Sequence, residues 1–257
     1  RQPDQPATPH EAAVDQYLPG LQAHVFLPAG RRPAPVVVLV PGGGWQSADE
    51  TGLRPLADEL AAAGMVAITV TYRAGDVGAR WPVPAQDVTC AVSYAAARAR
   101  RAGIAPTRVV VVGHSAGAQL SALAALIPAR LRDRCPYPAV AAGALVGLAG
   151  PYDLASVGDL AAPLLGPTPA PVTRRAANPM TWVAQRPTLP VLLVHGGADR
   201  EVSSTFSTTF QAALLRAGHR ARMVLVDGAG HGDIYQPSVV GNIVIGWIRA
   251  LDARVPR

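Results

Sequence analysis

Apolar residues fall in short, dense blocks separated by amphipathic stretches. Residues 36–40, 65–71, 108–112, 143–148 and 190–195 carry little polar alternation, and 109–112 are four consecutive valines. Such blocks read as strands buried on both faces, because β-branched side chains pack well on a pleat and a polar residue there would lack solvent. Residues 22–27 alternate as a first strand, 28–35 form a turn-rich link, and 222–226 read as a last strand. Between them, residues 50–63, 86–101, 118–127, 203–217 and 239–251 are predicted helices. In the first of these, Leu53, Leu56 and Leu60 recur at helical spacing and Gly64 ends the run. Strands separated by helices of this length need crossover connections, so the fold class is α/β with a mostly parallel sheet and helices on both faces. Sites in such sheets form where loops leave the carboxyl ends of the strands.

Two stretches break the rhythm. Residues 1–19 hold several prolines and no clear period, and read as an N-terminal arm closed by a Pro19-Gly20 turn. Residues 151–188, rich in Pro and Ala, are too short for a separate domain and read as a small, partly helical lid or pocket wall. The expected organisation is therefore one domain over residues 1–257.

The valine block runs into Gly113-His114-Ser115-Ala116-Gly117, which fits G-x-S-x-G between a strand and a small-residue helix. That context predicts a tight turn holding Ser115 in a strained conformation with its hydroxyl exposed, and glycines where a Cβ would meet the neighbouring strand or helix. The bland reading is a serine capping a helix. As a nucleophile, a serine hydroxyl needs an adjacent base, usually a histidine oriented by a carboxylate. Six histidines compete. His10 is in the arm, His24 in the first strand, His195 reads as a loop-packing hydrogen-bonder, and His219 follows Gly218 on a polar surface turn. His231 is in a Gly-rich loop just past the last strand and is the predicted base. Asp199, between strand and helix in 195–202, is the predicted carboxylate and gives the chain order Ser, Asp, His. Glu201, Asp227 and Asp233 are its competitors. For a developing oxyanion, Gly43, Gly44 and Ala116 are the predicted amide donors, Gly43 and Gly44 from Pro41-Gly42-Gly43-Gly44-Trp45 after the 36–40 strand. No G-K-[ST] or G-x-G-x-x-G accompanies that loop, which argues against a phosphate cradle. Trp45, Tyr152, Trp182 and His114, the last directed away from Ser115, are the expected pocket residues.

Composition narrows the classes. Half-apolar composition with 16% charged residues over 257 positions suits a globular enzyme. All 23 basic residues are arginine, a usage that points to a high-GC bacterial genome rather than to a task. The formal charge of +6 is spread out, without the concentrated basic face a nucleic-acid binder needs. Arg98, Arg100 and Arg101 fit the solvated end of a helix. No apolar run spans a bilayer. A start without methionine favours a secreted or periplasmic protein. In that setting Cys90 and Cys135 pair; otherwise both are small thiols. Neither lies beside a metal-like partner, so no metal is expected.

Taken in order, Pro41 to Trp45, Thr71-Tyr72-Arg73, Trp81-Pro82-Val83-Pro84 with Asp87, Gly113 to Gly117, Gly150-Pro151-Tyr152-Asp153, Asn178-Pro179, His195 to Val202 and Gly228 to Gly232 resemble the α/β-hydrolase superfamily. Within it, the chain is similar to small carboxylesterases of the hormone-sensitive-lipase and feruloyl/acetyl-xylan esterase-like groups. The resemblance covers nearly everything from about Val36 to Leu251. It implies a serine esterase acting on a small-molecule ester with no cofactor, and the few aromatics and short lid suggest short acyl groups or an accessible ester. It also implies that Tyr72-Arg73 and Asp87 tie the loop after the 65–71 strand to the helix below the elbow. The oxyanion motif departs from the pattern at Pro41, where a histidine is usual. Fewer than twenty residues precede the first strand, whereas relatives of the lipase type carry a larger N-terminal cap; an open pocket with no large cap domain is expected. The similar Gly-Gly-x-Trp segment of arylformamidases makes an amidase or formamidase the alternative, with a prolyl-oligopeptidase-like peptidase disfavoured for want of a gating domain.

Overall fold

The structure, a computed structural model, describes residues 10–253. Eight strands form one sheet in the order β1-β2-β4-β3-β5-β6-β7-β8. They are β1 (Glu11–Leu18), β2 (Leu21–Phe26), β3 (Ala34–Val40), β4 (Val66–Val70), β5 (Pro106–His114), β6 (Ala144–Leu148), β7 (Val191–Gly196) and β8 (Ala221–Val226). β1 and β2 pair antiparallel, as do β2 and β4, and every later pairing is parallel. This is the α/β-hydrolase fold.

The helices that cross over are α1 (Arg54–Ala62), α2 (Val83–Arg101), α3 (Ala116–Leu126) with the single turn α4 (Pro128–Leu131), and α8 (Thr205–Arg216), and α9 (Asn242–Asp252) follows the last strand. The valine blocks explain the two-layer covering, since successive side chains of a strand point to opposite faces. Val36, Val38, Val109 and Val111 pack into the core beneath α2, α3 and α8. Val37, Leu39, Val110 and Val112 pack beneath α1 and α9. α3 lies wholly inside, all eleven residues buried, which its Ala and Leu content permits.

Three expectations are corrected. Residues 11–18 of the expected arm form β1, while its first nine residues lie outside the described ones. This edge strand has no clean alternation because Tyr17 alone is buried there. It is held instead by polar contacts: Tyr17 donates to the Thr71 carbonyl at 2.6 Å, and Asp15 accepts from Tyr94 at 2.6 Å and Arg98 at 2.8 Å. His219 is not at the surface: the residue is 3% exposed, its ring between the carbonyls of Val183 and Leu189. Residues 86–101 begin their helix three residues early, at Val83 behind Pro82.

Residues 151–188 contain only short helices, α5 (Leu154–Val157), α6 (Ala162–Leu165) and α7 (Pro171–Ala177), joined by 3-10 turns. Asn178 pins them by accepting from the Leu154 and Met180 amides and donating to Asp153. Cys90 and Cys135 are bonded, with Cα atoms 5.4 Å apart, tying α2 to the segment after α4. No helix among the described residues is long and apolar enough to cross a membrane.

Candidate active site

β5 ends at His114 and α3 starts at Ala116, so Ser115 alone makes the turn, at φ 53° and ψ −124°. A non-glycine residue with positive φ is strained and persists only where its surroundings fix it. Here the Ser115 amide donates to the Leu148 carbonyl at 2.8 Å, anchoring the turn to β6. The two glycines are space requirements. A Cβ on Gly117 would overlap the carbonyl oxygens of Val40 and Pro41, and one on Gly113 the backbone of Gly117. The elbow can therefore pass under the end of β3 only with hydrogen at both places.

His231, in a 3-10 turn after β8, reaches over the sheet edge. Its Nε2 is 2.9 Å from Ser115 Oγ and its Nδ1 2.7 Å from Asp199 Oδ2. A carboxylate can only accept, so Nδ1 carries the hydrogen, and Nε2 presents its lone pair to the serine hydroxyl. Asp199, its side chain fully buried, has its other oxygen filled by the Glu201 and Val202 amides, each at 2.9 Å. Burial alone would raise the Asp199 pKa. The Val202 amide, the His231 ring and the Glu201 amide outweigh it and hold the carboxyl below its ordinary value. The competitors lie elsewhere in the loops: Asp233 accepts from the Gly230 amide at 2.7 Å and shapes the His231 turn.

Two further imidazoles support this relay. His195, fully buried at the end of β7, donates from Nε2 to the Val202 carbonyl at 2.9 Å and accepts from Ser207 at 2.7 Å. That Nε2 also lies 3.3 Å from Asp199 Oδ2, so His195 braces the loop carrying the acid. Burial lowers its pKa. His114 donates from Nε2 to the His231 carbonyl at 3.1 Å, its ring 4.7 Å from those of both His231 and Tyr235. Burial, then the neighbouring His231, pushes its pKa down to about 4.

The Gly-rich loop after β3 has positive φ at Gly43 (120°), Gly44 (58°) and Trp45 (59°). A Cβ on Gly43 would meet the Ser47 backbone and side chain. Tyr72 donates to the Pro41 carbonyl at 3.2 Å, and Trp45 donates from its indole to Gln119 of α3 at 2.9 Å. Those two bonds brace the loop from β4 and α3 without the usual histidine at position 41. Arg73 donates to Asp87 from Nε, Nη2 and its backbone amide, tying the loop after β4 to α2.

Ser115, His231, Gly43, Gly44 and Ala116 share one cavity of about 620 Å³. Trp45 and His114 line it as expected from the sequence, but Tyr152 and Trp182 do not. Tyr152 is fully buried, stacked on Phe210 at 4.4 Å, because Gly147 and Gly150 leave it room beneath the pocket. Trp182 bonds to the Ala176 carbonyl and lies under the Arg130 guanidinium. The apolar wall is instead Val157, Leu160, Val202 and Phe206. Sequence reasoning missed them. The only signal was their position, either in the lid or just after the acid at the start of α8.

Comparison with known proteins bears on the family and the fold. The BD-FAE family model matches residues 24–214. Esterase LipC of Mycobacterium tuberculosis is 32% identical over 219 residues, covering 78% of this chain and 53% of that one. A probable isoprenylcysteine alpha-carbonyl methylesterase of Oryza sativa subsp. japonica is 25% identical over 227 residues, covering 80% and 53%. The chain thus spans about half the length of the curated relatives it matches. Among solved structures, the propionate-bound esterase Est2 of Thermogutta terrifontis has a TM-score of 0.78 at 23% identity, with 98% of each chain covered. A truncated carbohydrate esterase from gut microbiota has a TM-score of 0.81 at 19% identity, covering 98% of this chain and all of that one. At these identities the structural likeness concerns the fold.

Proposed function

We infer that this chain, which belongs to the BD-FAE family, is a serine hydrolase of carboxylic esters working through an acyl-enzyme on Ser115. One observation carries the reading: the unbroken relay of Ser115 Oγ, His231 and Asp199 at 2.9 and 2.7 Å, opening on a cavity beside a Gly-rich loop. Ser115 Oγ attacks the ester carbonyl as His231 Nε2 takes its proton, and Asp199 stabilises the imidazolium. The Gly43, Gly44 and Ala116 amides receive the oxyanion. When the tetrahedral intermediate collapses, the carbon–alkoxide bond breaks and His231 returns its proton to the leaving alcohol. Water, deprotonated by His231, then attacks the acyl carbon, and the Ser115 oxygen leaves with that proton. No step calls on a cofactor.

The cavity of about 620 Å³ suits a small ester. Turnover of p-nitrophenyl acetate, butyrate and palmitate beside N-formylkynurenine tests the assignment, with Ser115→Ala as control. The short esters are expected to be the best substrates. A best rate on palmitate contradicts the short-chain reading, and a best rate on the formamide makes the enzyme an amidase.

A further inference from the structure

The cavity around Ser115 has a charge pattern opposite to that of the chain. The sequence carries 23 arginines and a formal charge of +6, yet no arginine among the described residues lines this cavity. Its charged wall residue is Glu201, exposed at the rim. Just behind is the buried carboxylate of Asp199, which accepts a hydrogen bond from the Glu201 amide. Arg200, between the two in sequence, is exposed and is not among the residues lining the cavity. His114 is neutral above pH of about 4 and so does not offset them. Two aromatic residues also line the cavity: Trp45 from the Gly-rich loop and Phe206 from the first turn of α8.

A cation gains from both kinds of group. Coulomb attraction draws it to a carboxylate, and the quadrupole of an aromatic face adds to this, more strongly as the ion sheds water. An anionic group meets the Glu201 carboxylate at the rim, with the buried Asp199 charge behind it and no arginine among the described lining residues. We propose that the site sorts esters by charge, preferring those that bear an alkylammonium group over neutral isosteres and rejecting those that bear a carboxylate. Glu201, Trp45 and Phe206 are the specificity determinants. This rests on the reading of Ser115 as the nucleophile of an esterase.

The test is a charge ladder of three acetate esters: acetylcholine, its uncharged isostere 3,3-dimethylbutyl acetate, and 4-acetoxybutyrate. Relative kcat/KM is measured in the wild type, Glu201→Gln and Glu201→Arg, at low salt and in 0.5 M NaCl, the salt level being ~0.5 M to screen exposed charge. Acetylcholine is expected to exceed its isostere about 3- to 10-fold, mainly through KM. The carboxylate ester is expected to fall below both. Salt and Glu201→Gln each shrink the spread, and Glu201→Arg inverts it. Because each ratio is read within one protein, a change in active fraction cancels, and the wild-type salt series needs no variant. A wild-type acetylcholine ratio at or below one overturns the proposal, as does a ratio that Glu201→Gln leaves unchanged. Failure of the esterase reading is separately visible, because then the neutral ester is not turned over at all.

Discussion

Asp199→Asn changes one atom of the relay, and the surrounding hydrogen bonds dictate the consequence. Asp199 Oδ1 accepts from two amides, those of Glu201 and Val202, each at 2.9 Å. An asparagine must therefore put its carbonyl oxygen there, since its NH2 group would face two N–H donors. The NH2 then takes the place of Oδ2, 2.7 Å from His231 Nδ1. Nδ1 has to accept, so the ring hydrogen moves to Nε2, where it points at Ser115 Oγ and blocks proton transfer. A base locked in the wrong tautomer costs about 10³- to 10⁴-fold in kcat, equivalent to about 4–5.5 kcal/mol of activation free energy. The pocket wall is untouched, so KM moves little. Pre-steady-state burst kinetics with p-nitrophenyl acetate read the acylation rate, and thermal unfolding of the same sample checks that the isosteric change leaves the fold intact. A well-folded variant acylating within tenfold of the wild type would refute the tautomer argument.

The remaining expectations concern the frame around that relay. His114→Leu, which deletes the donor to the His231 carbonyl, is expected to lower kcat about tenfold or more at nearly constant KM, whereas His114→Gln, which keeps an N–H at similar reach, restores most of it; equal rates for the two variants contradict a positioning role. Because burial depresses the His114 pKa from 6.5 to about 4, the unfolded chain binds a proton here that the folded one does not, so this share of stability is complete above pH 6.5 and is lost as pH falls towards 4; urea midpoints across that window should flatten in His114→Gln. Gly117→Ala drives a methyl into the Val40 and Pro41 carbonyls and is expected to cost about 3 kcal/mol, read as a lowered urea midpoint; a neutral result contradicts the close approach of elbow and β3. Replacing Cys90 and Cys135 by serine opens a closure of 45 residues, worth about 4 kcal/mol by chain entropy, and an unchanged midpoint speaks against the bond in solution.

What the sequence showed and what it hid follow from how local each signal is. The valine blocks and the glycines of 113–117 announce β3, β5 and the elbow, because burial on both faces and a forbidden Cβ leave their mark on neighbouring residues. Asp199 and His231 were legible as loop residues placed just after strands, where a parallel sheet gathers its functional groups. β1 was hidden: an edge strand anchored by Asp15 and Tyr17 needs no apolar period, and its partners Thr71, Tyr94 and Arg98 are distant in sequence. Tyr152 and Trp182 were misplaced because an aromatic near a motif does not reveal which way it points. In Tyr152 the answer depended on the absent side chains of Gly147 and Gly150 across the loop. Likewise, His219 follows a turn glycine yet turns inward to two carbonyls that only the folded chain brings near.

Mass spectrometry of the protein after brief exposure to a fluorophosphonate tests the central assignment most directly. The relay predicts a single stoichiometric adduct on the peptide carrying Ser115, absent in Ser115→Ala and slowed by orders of magnitude in Asp199→Asn. An unlabelled Ser115 in native, folded protein, or an adduct on another residue that persists in Ser115→Ala, contradicts it.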